Sequence, residues 1–159
     1  SHRLPVDHAQ VFMKPLLVPT PESQRLEADW RQAATIATIP KGKGPYAAAK
    51  QAQLSEKNAL IAERLFRTAI LKRDNFEGAV KDLASLLQEN KRGSEALDVL
   101  RENLPRMRNR KSALNTMATV QQHLQRHEEA IQTLREVRLL AESEQEAVTV
   151  RQRIALRVC

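Results

Sequence analysis

The amino-acid sequence predicts an all-α fold, a stack of short antiparallel α-helices, and two observations lead to this prediction. Apolar residues make up 42% of the chain but aromatic residues only 3%, and there are four glycines among 159 residues. Much of the apolar share is alanine and leucine, which favours helix because strands are enriched in β-branched and aromatic residues. The second observation is a recurring residue pattern with the length of a helical hairpin.

Residues 1–20 are predicted to form an extended, proline-containing arm. Pro5, Pro15 and Pro19 each remove a backbone donor and push the preceding residue toward extended geometry. The arm also carries more apolar residues than a solvated linker: Val11, Phe12, Met13, Leu16, Leu17 and Val18. We therefore expect it to dock on the helical body or on a second copy, with the helical body favoured.

An N-terminal helix is predicted within residues 21–40. Thr20 is suited to the N-cap, and Pro21 to the first helical position. Apolar residues then recur at helical spacing on one face: Leu26, Trp30, Ala33 and Ala37. We expect Trp30 to anchor the core. Residues 40–45 (Pro-Lys-Gly-Lys-Gly-Pro) end this helix, and they lack the spacing of a phosphate-binding loop.

An internal repeat of 34 residues follows. Shifting the chain by 34 residues gives seven identities in the fifteen positions from 88 to 102. The identical pairs are Gln88 and Gln122, Arg92 and Arg126, Glu95 and Glu129, Ala96 and Ala130, Leu100 and Leu134, Arg101 and Arg135, and Glu102 and Glu136. The same shift places Ala62 with Ala96 and Phe66 with Leu100. A period of this length indicates stacked helical hairpins.

Within each repeat, small and large apolar residues alternate in a fixed order. The second helix carries a small residue, a large apolar one four positions later and a small one three beyond, as in Ala62, Phe66 and Ala69. The first helix carries a large residue, an apolar one three positions later, a small one directly after it and a large one three beyond. The best example is Val80, Leu83, Ala84 and Leu87. This pattern resembles that of the tetratricopeptide-repeat (TPR) family, with degenerate repeats.

The resemblance implies a right-handed superhelical α-solenoid of antiparallel helix pairs. Residues 41–144 would hold three TPR-like repeats, at about 43–76, 77–110 and 111–144, and residues 145–159 a capping helix or the start of a further repeat. Ala96 and Ala130 are expected to be buried, because a small residue lets the neighbouring helix approach closely.

In the TPR family, one face of each first helix lines a concave groove that takes a partner's peptide or helix. By this resemblance the groove residues would be Ala47, Gln51 and Leu54 in the first repeat, Lys81, Ser85 and Gln88 in the second, and Ser112, Asn115, Thr119, Gln122 and His123 in the third. We therefore expect a protein-interaction scaffold or adaptor domain of a larger intracellular protein. A purely solvated face, or one filled by the chain's own arm, is the alternative.

The net charge of +7 leaves two further interpretations open. A basic patch is predicted at the link between the second and third repeats, formed by Arg101, Arg106, Arg108, Arg110 and Lys111. Such a patch attracts acidic protein surfaces or nucleic-acid phosphates, so a nucleic-acid-associated repeat module is one alternative. Self-association as a homodimer, through the N-terminal arm or the C-terminal helix, is the other.

No catalytic or cofactor motif is visible, so we expect no enzyme and no cofactor. His123 and His127 lie four residues apart, but neither a cysteine nor a third ligand is near, so no metal site is predicted. No apolar run approaches the ~18 residues that span a bilayer. Cys159 is the single cysteine, which excludes an internal disulfide and suits a cytoplasmic or nuclear protein.

Overall fold

The structure, a computed structural model, describes the backbone of residues 18–158 and the side chains of residues 18–156. Over this range it is all-helical and contains no strand, which confirms the predicted all-α class. The seven α-helices of this range are α1 (Pro21–Ala37), α2 (Pro45–Leu54), α3 (Ala59–Lys72), α4 (Phe76–Glu89), α5 (Gly93–Asn103), α6 (Arg110–His123) and α7 (His127–Val158). A 3₁₀ turn, Leu104–Arg106, follows α5. Most of the predicted arm, residues 1–17, lies outside the described residues.

The described residues divide into two compact units, with the boundary between Pro40 and Lys41. In the first unit, α1 begins as predicted: the Thr20 hydroxyl accepts a hydrogen bond from the Ser23 backbone N–H at 3.1 Å. The core role predicted for Trp30 is wrong, because 76% of this residue is exposed. Its helix has no buried residue, since the described part of this unit contains no second helix to cover the stripe.

In the second unit, each helix packs against the next one along the chain, from α2 to α7. The connections are short, for example residues 73–75 between α3 and α4 and residues 90–92 between α4 and α5. Helix α4 also contacts α6 directly, although α5 lies between them in sequence. The first helices of the second and third predicted repeats are therefore neighbours in space.

The buried alanines recur with the period of the sequence. Ala62, Ala96 and Ala130 are all buried, which confirms the prediction for the last two. Phe66 and Leu100 are also fully buried, but Leu134, one period further on, is 41% exposed. This difference has a simple cause, since α6 packs on α5 and the described residues contain no later helix to pack on α7 in the same way.

The backbone shows the same period. Lys57, Lys91 and Gln125 lie 34 residues apart, and each adopts a left-handed conformation, with φ of 51°, 62° and 62°. Each of these residues stands in the turn between the two helices of a pair. Left-handed residues are uncommon outside glycine, so their regular recurrence indicates that the same turn is built three times.

The C-terminal region differs from the sequence interpretation, which placed a boundary between residues 144 and 145. Helix α7 runs through this point without interruption from His127 to Val158. Residues 127–158 contain no glycine, proline or asparagine, so nothing in them favours ending the helix. None of the described helices combines the length and apolarity needed to cross a membrane.

A candidate groove across two neighbouring helices

Most of the predicted groove residues lie on the accessible faces of α4 and α6. Lys81, Ser85, Gln88 and Ser112 are half-buried, whereas Asn115, Thr119, Gln122 and His123 are exposed. The apolar positions between them are buried in the core: Val80, Leu83, Ala84 and Leu87 on α4, and Leu114, Met117 and Ala118 on α6. Each helix therefore turns its apolar face inward and leaves its polar face accessible.

One hydrogen bond and one shared cavity relate the polar faces of α4 and α6. The Lys81 ammonium donates a hydrogen bond to the Ser112 hydroxyl oxygen at 3.0 Å, which links the start of α4 to the start of α6. At the other end of the helices, Gln88 and His123 line one cavity of about 270 Å³. The predicted residues of the second and third repeats therefore form one surface, which we call the α4/α6 groove.

The first repeat contributes less than predicted. Ala47 is buried, so its proposed place in the groove is wrong. Gln51 is exposed on α2 and Leu54 is half-buried. Helix α2 contacts α4 instead through Tyr46, whose hydroxyl donates a hydrogen bond to an Asp82 carboxylate oxygen at 2.8 Å. The Lys50 ammonium lies 3.3 Å from the same oxygen.

Sequence reasoning missed this Tyr46 and Asp82 pair. Burial, together with the hydrogen bond to the Asp82 carboxylate and its charge, raises the pKa of Tyr46 above its ordinary value. The phenol therefore remains a neutral donor through the physiological range. The backbone N–H of Tyr46 also donates to the Asp74 carboxylate at 2.9 Å, which ties the start of α2 to the turn before α4. Tyr46 and Lys50, four residues apart on α2, were the available signal.

A second charged network holds the α3 and α5 helices together. The Arg92 guanidinium lies 2.7 Å from the Glu63 carboxylate and 2.6 Å from the Glu95 carboxylate. Hydrogen bonds from Arg92 lower the pKa of Glu63 and the pKa of Glu95 below their ordinary values. Arg67 adds a contact of 3.0 Å to Glu63. This network is structural, since it fixes the second helices of two successive repeats.

The two histidines do not share a helical face. His123 ends α6 and His127 begins α7, and Gln125 in the turn between them has a positive φ. The His127 ring nitrogen Nε2 instead lies 2.9 Å from the side-chain oxygen of Gln125. Across the described residues, no group of three or more His, Cys, Asp or Glu side chains is placed to hold a metal ion.

The predicted basic patch divides into separate environments. Arg101 lies 3.4 Å from the Glu129 carboxylate, and Lys111 lies 2.5 Å from the Glu144 carboxylate, so both have acidic partners. Arg110 begins α6 and is exposed. The remaining two, Arg106 and Arg108, line a cleft of about 450 Å³.

This basic cleft, as we call it, also contains Arg73, which the sequence did not single out. Its other lining residues are Asn75, Phe76 and Glu77. The Arg73 guanidinium lies 5.9 Å from the centre of the Phe76 ring, within the range of a cation–π interaction. The Glu77 carboxylate accepts hydrogen bonds from the backbone N–H groups of Arg108 and Asn109. The cleft is therefore lined by three arginines and by one carboxylate that is already hydrogen-bonded.

Comparison with known proteins gives partial similarities. No family model matches the chain, and no solved structure matches it. SULFUR DEFICIENCY-INDUCED 2 of Arabidopsis thaliana is 44% identical over 62 residues, which cover 39% of this chain and 20% of that protein. SULFUR DEFICIENCY-INDUCED 1 of the same plant is 38% identical over 71 residues, covering 45% of this chain and 23% of the relative.

A third Arabidopsis thaliana protein, POLLENLESS 3-LIKE 2, is 33% identical over 88 residues, which cover 55% of this chain and 19% of its own length. The chain therefore spans about a fifth of the length of the curated relatives it matches. These similarities relate the chain to one part of each relative.

Proposed function

We propose that this chain is a TPR-like α-solenoid that serves as a protein-interaction scaffold and not as an enzyme. The observation that supports this proposal best is the 34-residue recurrence of both the buried alanines and the left-handed turn residues. Each helical pair packs on the next, as in repeat proteins that present a continuous binding surface. The α4/α6 groove would be that surface, on the concave side of a right-handed superhelix.

The chemistry of the groove favours a peptide or helix as the ligand. Asn115, Thr119 and Gln122 are exposed, and Asn and Gln offer both donors and acceptors to a partner's backbone. The Lys81 ammonium keeps its charge while it donates to the Ser112 hydroxyl, and Lys81 is the one lysine or arginine among the predicted groove residues, so the groove carries little charge. We expect recognition to depend on hydrogen bonds and shape, with partner affinity changing only modestly with salt.

Affinity capture from cell lysate, with this chain as bait, tests the proposal. The variant carries Asn115→Glu, Thr119→Glu and Gln122→Glu, which places three carboxylates on the groove. The control carries three substitutions of the same charge change at exposed positions of α7, Gln132→Glu, Gln145→Glu and Gln152→Glu. We expect the groove variant to lose partners that wild type and control retain. Identical partner sets from three equally folded proteins would reject the groove as the recognition surface.

The basic cleft supports a second candidate function, association with nucleic acid. Arg73, Arg106 and Arg108 line the same cleft, and guanidinium groups are suited to phosphate oxygens. The scaffold is favoured because Arg101 and Lys111 already have acidic partners, and because aromatic residues for base stacking make up only 3% of the chain.

Salt titration of binding to a labelled single-stranded oligonucleotide separates the two candidates. Nucleic-acid association predicts that log Kd rises linearly with log salt. The variant Arg106→Ala, Arg108→Ala and Arg110→Ala should reduce that slope. Absence of binding by the wild-type chain at physiological salt would eliminate this candidate.

A further inference from the structure

The second half of α7 extends beyond the packed helices. From Ala141 to Leu156 the described residues are exposed, except Thr149, which is half-exposed. Near the start of this segment, Glu144 forms an ion pair with Lys111 of α6. Most of the stability of a helix in a protein comes from packing of one of its faces, which the exposed residues of this segment lack. A partner for this segment would therefore contribute stability.

One face of this segment has the spacing of a coiled-coil seam. Leu140, Ala147 and Ile154 lie seven residues apart, and Ser143 and Val150 lie three residues after the first two. These are the a and d positions of a heptad pattern. Val150 is 52% exposed and Ile154 is 58% exposed, so these two apolar members of the seam face solvent, whereas Leu140 is half-buried and packs against the core of its own chain.

The charges beside this seam are opposite in its two halves. Glu144 and Glu146 occupy the e and g positions of the first half, and Arg151 and Arg153 occupy the same positions one heptad later. In an antiparallel pair of helices, e positions face e positions and g positions face g positions. A second copy of this segment, running in the opposite direction, would therefore meet each glutamate with an arginine.

The apolar residues of the seam are also consistent with an antiparallel pairing of two copies. An antiparallel pair whose two-fold axis passes between Val148 and Thr149 places Ala147 opposite Val150 of the second copy, and Ser143 opposite Ile154 of the second copy. Small residues then face large ones in these two layers, which permits close approach of the helices. Two independent features, apolar register and charge register, thus agree on one arrangement.

We propose that residues 140–156 of α7 form an antiparallel coiled coil with the same segment of a second copy of this chain. Glu146 pairs with Arg153 of the second copy, and Glu144, which also contacts Lys111, pairs with Arg151 of the second copy. The interface is isologous, as in most homodimers, because each copy supplies the same residues to it. It lies on α7 and leaves the α4/α6 groove open.

Sedimentation equilibrium of the full chain, over a range of concentrations, tests this proposal by charge reversal. In the proposed dimer, position 146 of each copy faces position 153 of the other. Glu146→Arg therefore replaces two ion pairs with two pairs of facing arginines, and Arg153→Glu replaces them with two pairs of facing glutamates. Each variant alone should show a dimer Kd raised by at least about tenfold, because two ion pairs become repulsive. Mixed in equal amounts, the two variants should associate at least as tightly as wild type, because every g-position pair is then oppositely charged.

The control is Gln152→Glu, which adds a negative charge at an f position, outside the proposed interface, and should leave Kd unchanged. Far-ultraviolet circular dichroism verifies that all variants fold. A monomeric wild type at every concentration would overturn the proposal. So would variants that associate as wild type does, which is the result expected if the arm or another surface mediates assembly, or a mixture that fails to associate.

Discussion

Leu100 and Leu134 occupy equivalent positions one period apart, but they differ in burial, and this difference predicts unequal costs of truncation. Leu100 is fully buried where α6 packs on α5, whereas Leu134 is 41% exposed on α7. We therefore compare Leu100→Ala with Leu134→Ala. Both changes have the same effect on intrinsic helix propensity, so the comparison isolates packing.

The magnitudes follow from burial. Leu100→Ala removes a side chain that is entirely shielded from water and leaves a cavity, so it should lower the free energy of unfolding by about 3–4 kcal/mol. Leu134→Ala forfeits only about three fifths of the transfer free energy and leaves no closed cavity, so about 1 kcal/mol is expected. The difference is about 2–3 kcal/mol.

Urea unfolding followed by far-ultraviolet circular dichroism measures this difference. With a denaturant slope of about 2 kcal/mol per molar urea, the two midpoints should differ by about 1 M or more. The slope must be the same in both variants, because repeat proteins lose two-state behaviour when one end unfolds first. Equal costs for the two substitutions would refute the inference that α7 has an uncovered outer face.

Three further predictions concern single groups. Tyr46 is the only tyrosine, so ultraviolet absorbance of its phenolate should show ionisation well above pH ~10 in the folded chain and near pH ~10 in urea. The stabilising contribution of this phenol is present below pH ~10 and is lost as the pH rises through the raised pKa of Tyr46. If the folded and the unfolded chain titrate together, the Asp82 hydrogen bond is contradicted. Trp30, the only tryptophan, should emit at the wavelength of a water-exposed indole in the native chain and be readily quenched by acrylamide, whereas a blue-shifted emission would show that its stripe is covered. Arg92→Ala should lower the free energy of unfolding at neutral pH. The difference from wild type should shrink on acidification, because the ion pair of Glu63 with Arg92 is lost as the pH falls through the lowered pKa of Glu63. A difference independent of pH would show that Glu63 is not the partner concerned.

The sequence was most informative where local pattern and packing coincide. The alternation of small and large residues predicted that Ala96 and Ala130 are buried, because a helix face that repeats every period must meet a similar neighbour. Capping by Thr20 was predicted because it depends on residues three positions apart. These features are local or strictly periodic, so they can be read without coordinates.

The sequence was least informative where a distant residue decides the outcome. The apolar stripe of α1 predicts that Trp30 is buried, but the stripe does not identify an element that packs against Trp30, and the side chain is exposed. The pairing of Tyr46 with Asp82 joins residues 36 positions apart, close to but not equal to the repeat length. In the basic patch, the acids that neutralise Arg101 and Lys111 come from α7, which the clustering of arginines in sequence does not reveal.

The central claim, that the α4/α6 groove holds a partner protein, is tested most directly by site-specific photo-crosslinking. A photoreactive amino acid replaces Asn115 in the groove or, as a control, exposed Glu136 on α7, and lysate mixtures are irradiated. The account predicts a discrete crosslinked product from position 115 that is absent from position 136 and is lost when Thr119 and Gln122 become glutamates. Crosslinks of equal yield from both positions, or products from position 115 that survive those substitutions in a folded chain, would contradict it.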